Sequence, residues 1–99
     1  MRSHVRIISE IARGITITNP DNRYLEIGIA RASCFNHIAP LFEEAIAIDI
    51  NSKCEKYIKV NNHKFYCSTL TDYIKMYYDG KRFDLIFIDA NHMIFILFS

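Results

Sequence analysis

An α/β fold, with a parallel sheet sandwiched between helices, is what this sequence predicts. Three observations lead there. Strand-like and helix-like segments alternate between residues 23 and 89, a rhythm that implies right-handed βαβ crossovers. Residues 45–48 and 85–88 are apolar at every position, as strands covered on both faces are. A content of 51% hydrophobic and 23% charged residues in a chain of 99 describes one globular unit, too apolar and too evenly charged for a disordered tail. A unit this small buries only about two-thirds of its unfolded surface, so its stability is marginal.

The elements follow in order. Residues 3–13 place Val5, Ile8, Ile11 and Ala12 at helical spacing, with Ser3 as a cap and Gly14 after the last turn. Thr18, Asn19, Pro20, Asp21 and Asn22 carry turn chemistry, because proline fixes its own φ and Asn and Asp tolerate tight bends. Residues 1–19 are therefore a helix and linker, and 20–92 the main unit. Its first strand is 23–27, ended by Gly28; 33–42 is a helix whose last turn Pro40 disturbs. Residues 45–49 form the second strand and 52–60 a helix with Cys54, Tyr57 and Ile58 inward. The third strand is 63–67, the third helix 70–78, closed by Asp79-Gly80, and the fourth strand 83–89, with Asp84 a solvated strand-start residue.

Residues 93–99, Met-Ile-Phe-Ile-Leu-Phe-Ser, are an atypical apolar tail without the polar positions of a helix. They read as a fragment end or a frameshifted stretch, with a short edge strand as the alternative. Without a further neighbour the fourth strand would leave an apolar edge open, which invites self-association.

Composition excludes several classes. The net charge is +1 and the lysines and arginines are scattered, so no basic stripe is available to neutralise nucleic-acid phosphates. Cys34, Cys54 and Cys67 form no C-x-x-C pair, and an odd count argues against a secreted disulfide framework. Reduced thiols and a cytoplasmic location are expected. Glu10 and Arg13 interrupt any signal-peptide core, and the apolar tail is far short of the roughly 20 residues that span a bilayer. His4, His37 and His63 show no metal-ligand spacing.

The chemistry concentrates at strand ends. Glu26-Ile27-Gly28 closes the first strand, and in open parallel sheets ligands bind beyond the carboxyl ends of the strands, where glycine lets the backbone approach closely. Asp49 stands about 20 residues past that glycine, the distance at which an acid accepts ribose hydroxyls. Together they read as a nucleoside site. A dinucleotide site wants G-x-G-x-x-G, whereas residues 28–33 keep only the first glycine. Glu26 would also repel a diphosphate but suit a positive amino or sulfonium group, which favours S-adenosylmethionine over NAD.

Tyr-Leu-Glu-Ile-Gly at 24–28, Ala-Ile-Asp at 47–49 and Phe-Asp-Leu-Ile-Phe-Ile-Asp-Ala-Asn-His at 83–92 resemble, in order and spacing, the first, second and fourth motifs of class I S-adenosylmethionine-dependent methyltransferases. The likeness covers about two-thirds of the chain and is nearest to the branch of small-molecule, sugar and metal-dependent O-methyltransferases. It implies a Rossmann-like parallel sheet with flanking helices, incomplete at about four strands, and methyl transfer to a small-molecule oxygen or nitrogen. Glu26 would orient the methionine end of the cofactor beside Gly28, Asp49 would hold the ribose, and Ser68 and Thr69 would border the adenine. Asp89 would face the methyl group and the substrate, and His92 would be a general base or metal ligand. Ala32 departs from the family, which usually has glycine there.

Three readings stay open on the residues alone: a methyltransferase fragment with little activity of its own, an NAD-binding oxidoreductase fragment, and a non-catalytic α/β interaction module. Under the plainest of these Glu26 and Asp49 merely cap the helices that follow, and His92 is a loop histidine with no chemical task.

Overall fold

The computed structural model describes residues 3–90 and 93–98. Helix α1 (Ser3–Thr18) leads into strand β1 (Arg23–Ile27), followed by α2 (Ser33–Ile38), β2 (Glu44–Asp49), β3 (His63–Cys67), α3 (Leu70–Met76), β4 (Leu85–Ala90) and β5 (Met93–Phe98). The strands form one sheet in the order β3-β2-β1-β4-β5. The first four are parallel, with Glu26 level with Ala47 on one side and Phe87 on the other. This is the expected α/β, Rossmann-like arrangement, in part.

Strand alternation divides the side chains between two faces. Tyr24, Ala45, Ala47, Leu85 and Phe87 pack with Ile8 and Ala12 of α1 and Phe35 and Ile38 of α2. Leu25, Ile46 and Ile48 pack on the opposite face with Tyr73 of α3 and Phe83. That second face is the less covered one: an apolar groove of about 240 Å³ opens between β1, β4 and α3, bordered by Leu25, Ile27, Tyr73, Tyr78 and Ile86.

The tail takes the edge-strand form given as the alternative. Residues 93–98 are a strand, paired antiparallel with β4 from Leu85↔Phe98 to Ala90↔Met93. An all-apolar run without helix-forming polar positions satisfies its backbone most directly on a neighbouring strand. β4 therefore has a neighbour on each side, and the sheet edges among the described residues are β3 and β5.

Three further boundaries moved. α1 runs through Gly14 to Thr18, whose hydroxyl bonds back to the Ile15 carbonyl at 3.1 Å. The expected second helix breaks at Ile38 into a 3-10 turn, Ala39–Leu41, at Pro40. Residues 52–57 form a 3-10 helix with Cys54 as its one buried residue, because so narrow an apolar face gives an α-helix little to pack with.

Asp84 is buried rather than solvated, with 6% of its surface exposed. Its carboxylate accepts from the Arg23 amide at 2.9 Å, the Asn19 amide group at 2.8 Å and the Arg82 guanidinium at 2.7 Å. Burial alone would raise this acid, but those donors outweigh it and hold it below the usual carboxylate range. Arg23 in turn pairs with Glu44 and Asp79, each at 3.0 Å, and lies over the Phe83 ring at 4.4 Å. These groups cross-link the amino end of the sheet.

Candidate functional site at the carboxyl end of the sheet

Past Ile27 the chain must turn from β1 into α2 within five residues, and it does so by visiting left-handed backbone three times, at Gly28 (φ 82°), Ala30 (φ 48°) and Ala32 (φ 62°). Such φ values are uncommon for residues with a Cβ. Ile29 and Ala32 are buried and pin the loop to the core. Gly28 is required for a second reason: a Cβ there would collide with the carbonyl oxygen of Asp89. The missing side chain thus brings the end of β1 against the end of β4, and so brings Glu26 near Asp89.

Asp49 is bound to the same loop. Its Oδ2 accepts from the amides of Ile29 at 2.9 Å and Ala30 at 3.2 Å, while Oδ1 accepts from the Asn51 amide at 2.9 Å. Ser68 and Thr69 are engaged locally. The Ser68 amide donates to the Asp49 carbonyl at 3.1 Å and the Ser68 hydroxyl to the Thr69 carbonyl at 2.7 Å. The Thr69 hydroxyl accepts from the Asp72 amide at 3.1 Å and caps α3.

A cleft of about 280 Å³ gathers Glu26, Gly28 and Asp89 with Arg31 and Cys34, and is closed on the α1 side by Val5. Asp49, Ser68 and Thr69 sit at the ends of the neighbouring strands, outside its walls. His92 lies outside the described residues.

Glu26 dominates the chemistry of this cleft. Only 2% of it is exposed, and the Tyr24 hydroxyl donates to its Oε1 at 2.6 Å. Burial pushes its carboxyl from the ordinary 4.5 up to about 8, against the smaller downward pull of hydrogen bonds from Tyr24 and Cys34 and with a further push from the charge of Asp89. The Cys34 thiol is itself raised, by burial and by Glu26. Burial and Glu26 raise Tyr24 as well. An acid in this state is a receptor for a cation, since a positive group beside it offsets the desolvation that keeps it protonated.

Sequence reasoning singled out Glu26 but not Tyr24, Cys34 or Val5. The i, i+2 spacing of Tyr24 and Glu26 on a strand was the available signal for the first; nothing local marks the other two. Among the described residues no cluster of three or more His, Cys, Asp or Glu side chains is arranged to hold a metal ion, and no helix is long and apolar enough to cross a membrane.

Comparison of the fold with solved structures finds the plantazolicin methyltransferase BpumL in complex with SAH, at a TM-score of 0.57 and 22% identity over 84% of this chain and 34% of that one. The chain shares part of that protein's fold. The YcgJ protein from Bacillus subtilis superimposes with a TM-score of 0.52 and 20% identity, over 80% of this chain and 37% of its own. The chain therefore spans about a third of the length of either. No family model matches the sequence, and no curated protein matches it. In open α/β sheets the carboxyl ends of the strands are the ligand side, and the Glu26 cleft lies there.

Proposed function

We propose that this chain is the S-adenosylmethionine-binding portion of a methyltransferase acting on a small-molecule oxygen or nitrogen. The observation that carries this reading is the buried Glu26 carboxyl on the wall of a cleft at the carboxyl ends of β1 and β4. The donor set suits the group. Glu26 matches an ammonium, and the cleft, at about 280 Å³, is at the lower limit of small-molecule pockets, which is room for the amino-acid end of the cofactor. Asp49 already accepts three amide bonds, yet carboxylate oxygens keep further lone pairs, so it can also receive ribose hydroxyls. Ser68 and Thr69, at the end of β3, border the adenine in this reading.

When bound, the cofactor supplies an electrophilic methyl group on a positively charged sulfur. The residues of this chain position it: Glu26 anchors the amino group, the 28–32 loop sets the approach, and Asp89, exposed at the rim, faces the acceptor. His92 would serve as general base toward the acceptor or as a metal ligand. Holding acceptor and cofactor together in the cleft would supply much of the rate through proximity.

Titration calorimetry with S-adenosylhomocysteine, on a sample shown to be folded by NMR, tests the reading. Saturable binding by the folded chain supports it; no heat from the folded chain refutes it.

A further inference from the structure

We infer that ligand uptake in this cleft is coupled to release of a proton from Glu26, with Tyr24 as the positioning residue that holds the carboxylate once it forms. The inference rests on the cofactor reading above and concerns the regulation of that same site.

The geometry begins with alternation on β1. Tyr24 and Glu26 point to the same face, the one covered by α1 and α2. The Tyr24 ring is fully buried, stacked at 5.2 Å on Phe42 and 6.1 Å on Phe35, so its hydroxyl is pinned at 2.6 Å from Glu26 Oε1. A rigid donor at that distance fixes the carboxyl in one orientation on the cleft wall.

Among the described residues, every element around Glu26 supplies either no charge or a negative one, apart from the loop. α1 presents Val5, α2 presents the Cys34 thiol, and β4 presents Asp89. Arg31 lines the same cleft but is exposed. With no buried cation opposite it among the described residues, Glu26 stays protonated in the free chain up to a pH of about 8. A ligand ammonium entering the cleft supplies that cation, so the carboxyl ionises and its proton goes to solvent. The Tyr24 hydroxyl then donates to a full negative charge, where hydrogen bonds are strongest.

Linkage fixes the outcome. Below pH 8 the apparent affinity rises about tenfold per pH unit and levels off above it. At pH 7 binding releases close to one proton.

Two measurements test this. Calorimetry with S-adenosylhomocysteine at pH 7, in buffers of different ionisation enthalpy, is expected to show release of about one proton by the folded chain and none by Glu26→Gln. Carboxyl-carbon NMR of the free chain is expected to place the Glu26 midpoint near 8, and higher in Tyr24→Phe, which keeps the ring stack but loses the donor; that variant should bind about tenfold more weakly at pH 7. Binding without proton release, or equal release from Glu26→Gln, overturns the coupling while leaving the cofactor reading intact. An unchanged midpoint in Tyr24→Phe overturns the role of Tyr24. A folded chain whose Glu26 titrates near 8 but binds nothing sinks the cofactor reading and, with it, the coupling.

Discussion

Replacing Glu26 by glutamine should make this protein more stable, and increasingly so as the pH rises. Glu26 is 2% exposed, and burial moves its carboxyl from 4.5 to about 8. The folded state therefore holds a proton that the unfolded chain has already released between those values. Because the folded state binds more protons, stability falls as pH rises through that window and is level on either side. At about 1.4 kcal/mol per pH unit the full loss approaches about 5 kcal/mol, and water reaching the cleft reduces it to about 3 to 5 kcal/mol. Glutamine keeps an oxygen for the Tyr24 hydroxyl but cannot ionise. Its stability should match the native chain within about 1 kcal/mol at pH 5 and exceed it by several kcal/mol at pH 8.5. Urea unfolding followed by circular dichroism at pH 5, 7 and 8.5 reads both curves. Parallel pH dependence in the two proteins would refute the reasoning, because Glu26 would then ionise as freely folded as unfolded.

The remaining expectations concern the loop, the opposite sheet end and the edge. Ala30→Gly removes a left-handed alanine that is exposed and should raise the melting temperature by a few degrees, from about 0.5 to 1 kcal/mol of relieved strain. Ala32→Gly relieves the same strain but uncovers a fully buried methyl, so its gain should be smaller; equal gains would contradict the packing described. Asp84→Ala leaves the Arg23 amide and Asn19 without their acceptor and should cost about 2 to 4 kcal/mol by urea unfolding at pH 7. The contribution of Asp84 is present above the ordinary value of 3.8 and is lost as pH falls through its lower folded value, so the deficit of the variant should shrink in acid. The outer edge strand β5 carries six apolar residues with no charge or proline to deter pairing; sedimentation should show self-association at micromolar concentration, and Ile96→Lys should reduce it.

The strands were legible because their signal is local. Ala45-Ile46-Ala47-Ile48 and Leu85-Ile86-Phe87-Ile88 state burial on both faces in four letters each, and parallel neighbours then follow from the crossover rule. Residues 52–57 were not legible as a 3-10 helix, since the choice depended on how little of that segment the sheet covers, namely Cys54. Asp84 was misjudged for a related reason. A polar residue at a strand start is usually solvated, but this one meets Arg23, 61 positions away, and that partner exists only after β1 and β4 have paired.

Glu26 and Asp49 entered together as the two acids of one site, and the structure separates what they do. Asp49 spends its oxygens on the amides of Ile29, Ala30 and Asn51, so its visible work is to hold the loop in its left-handed path. That path could not be read from two alanines at 30 and 32, because alanine carries no local mark of positive φ. Glu26, by contrast, has only the Tyr24 hydroxyl and the Cys34 thiol as donors and a cleft in front of it. A carboxyl buried with neutral donors alone contributes little to holding a fold together, and its desolvation is costly whenever it ionises. The amide-bound acid is thus sufficiently explained by structure, whereas the buried one is better explained by a cation it has still to meet.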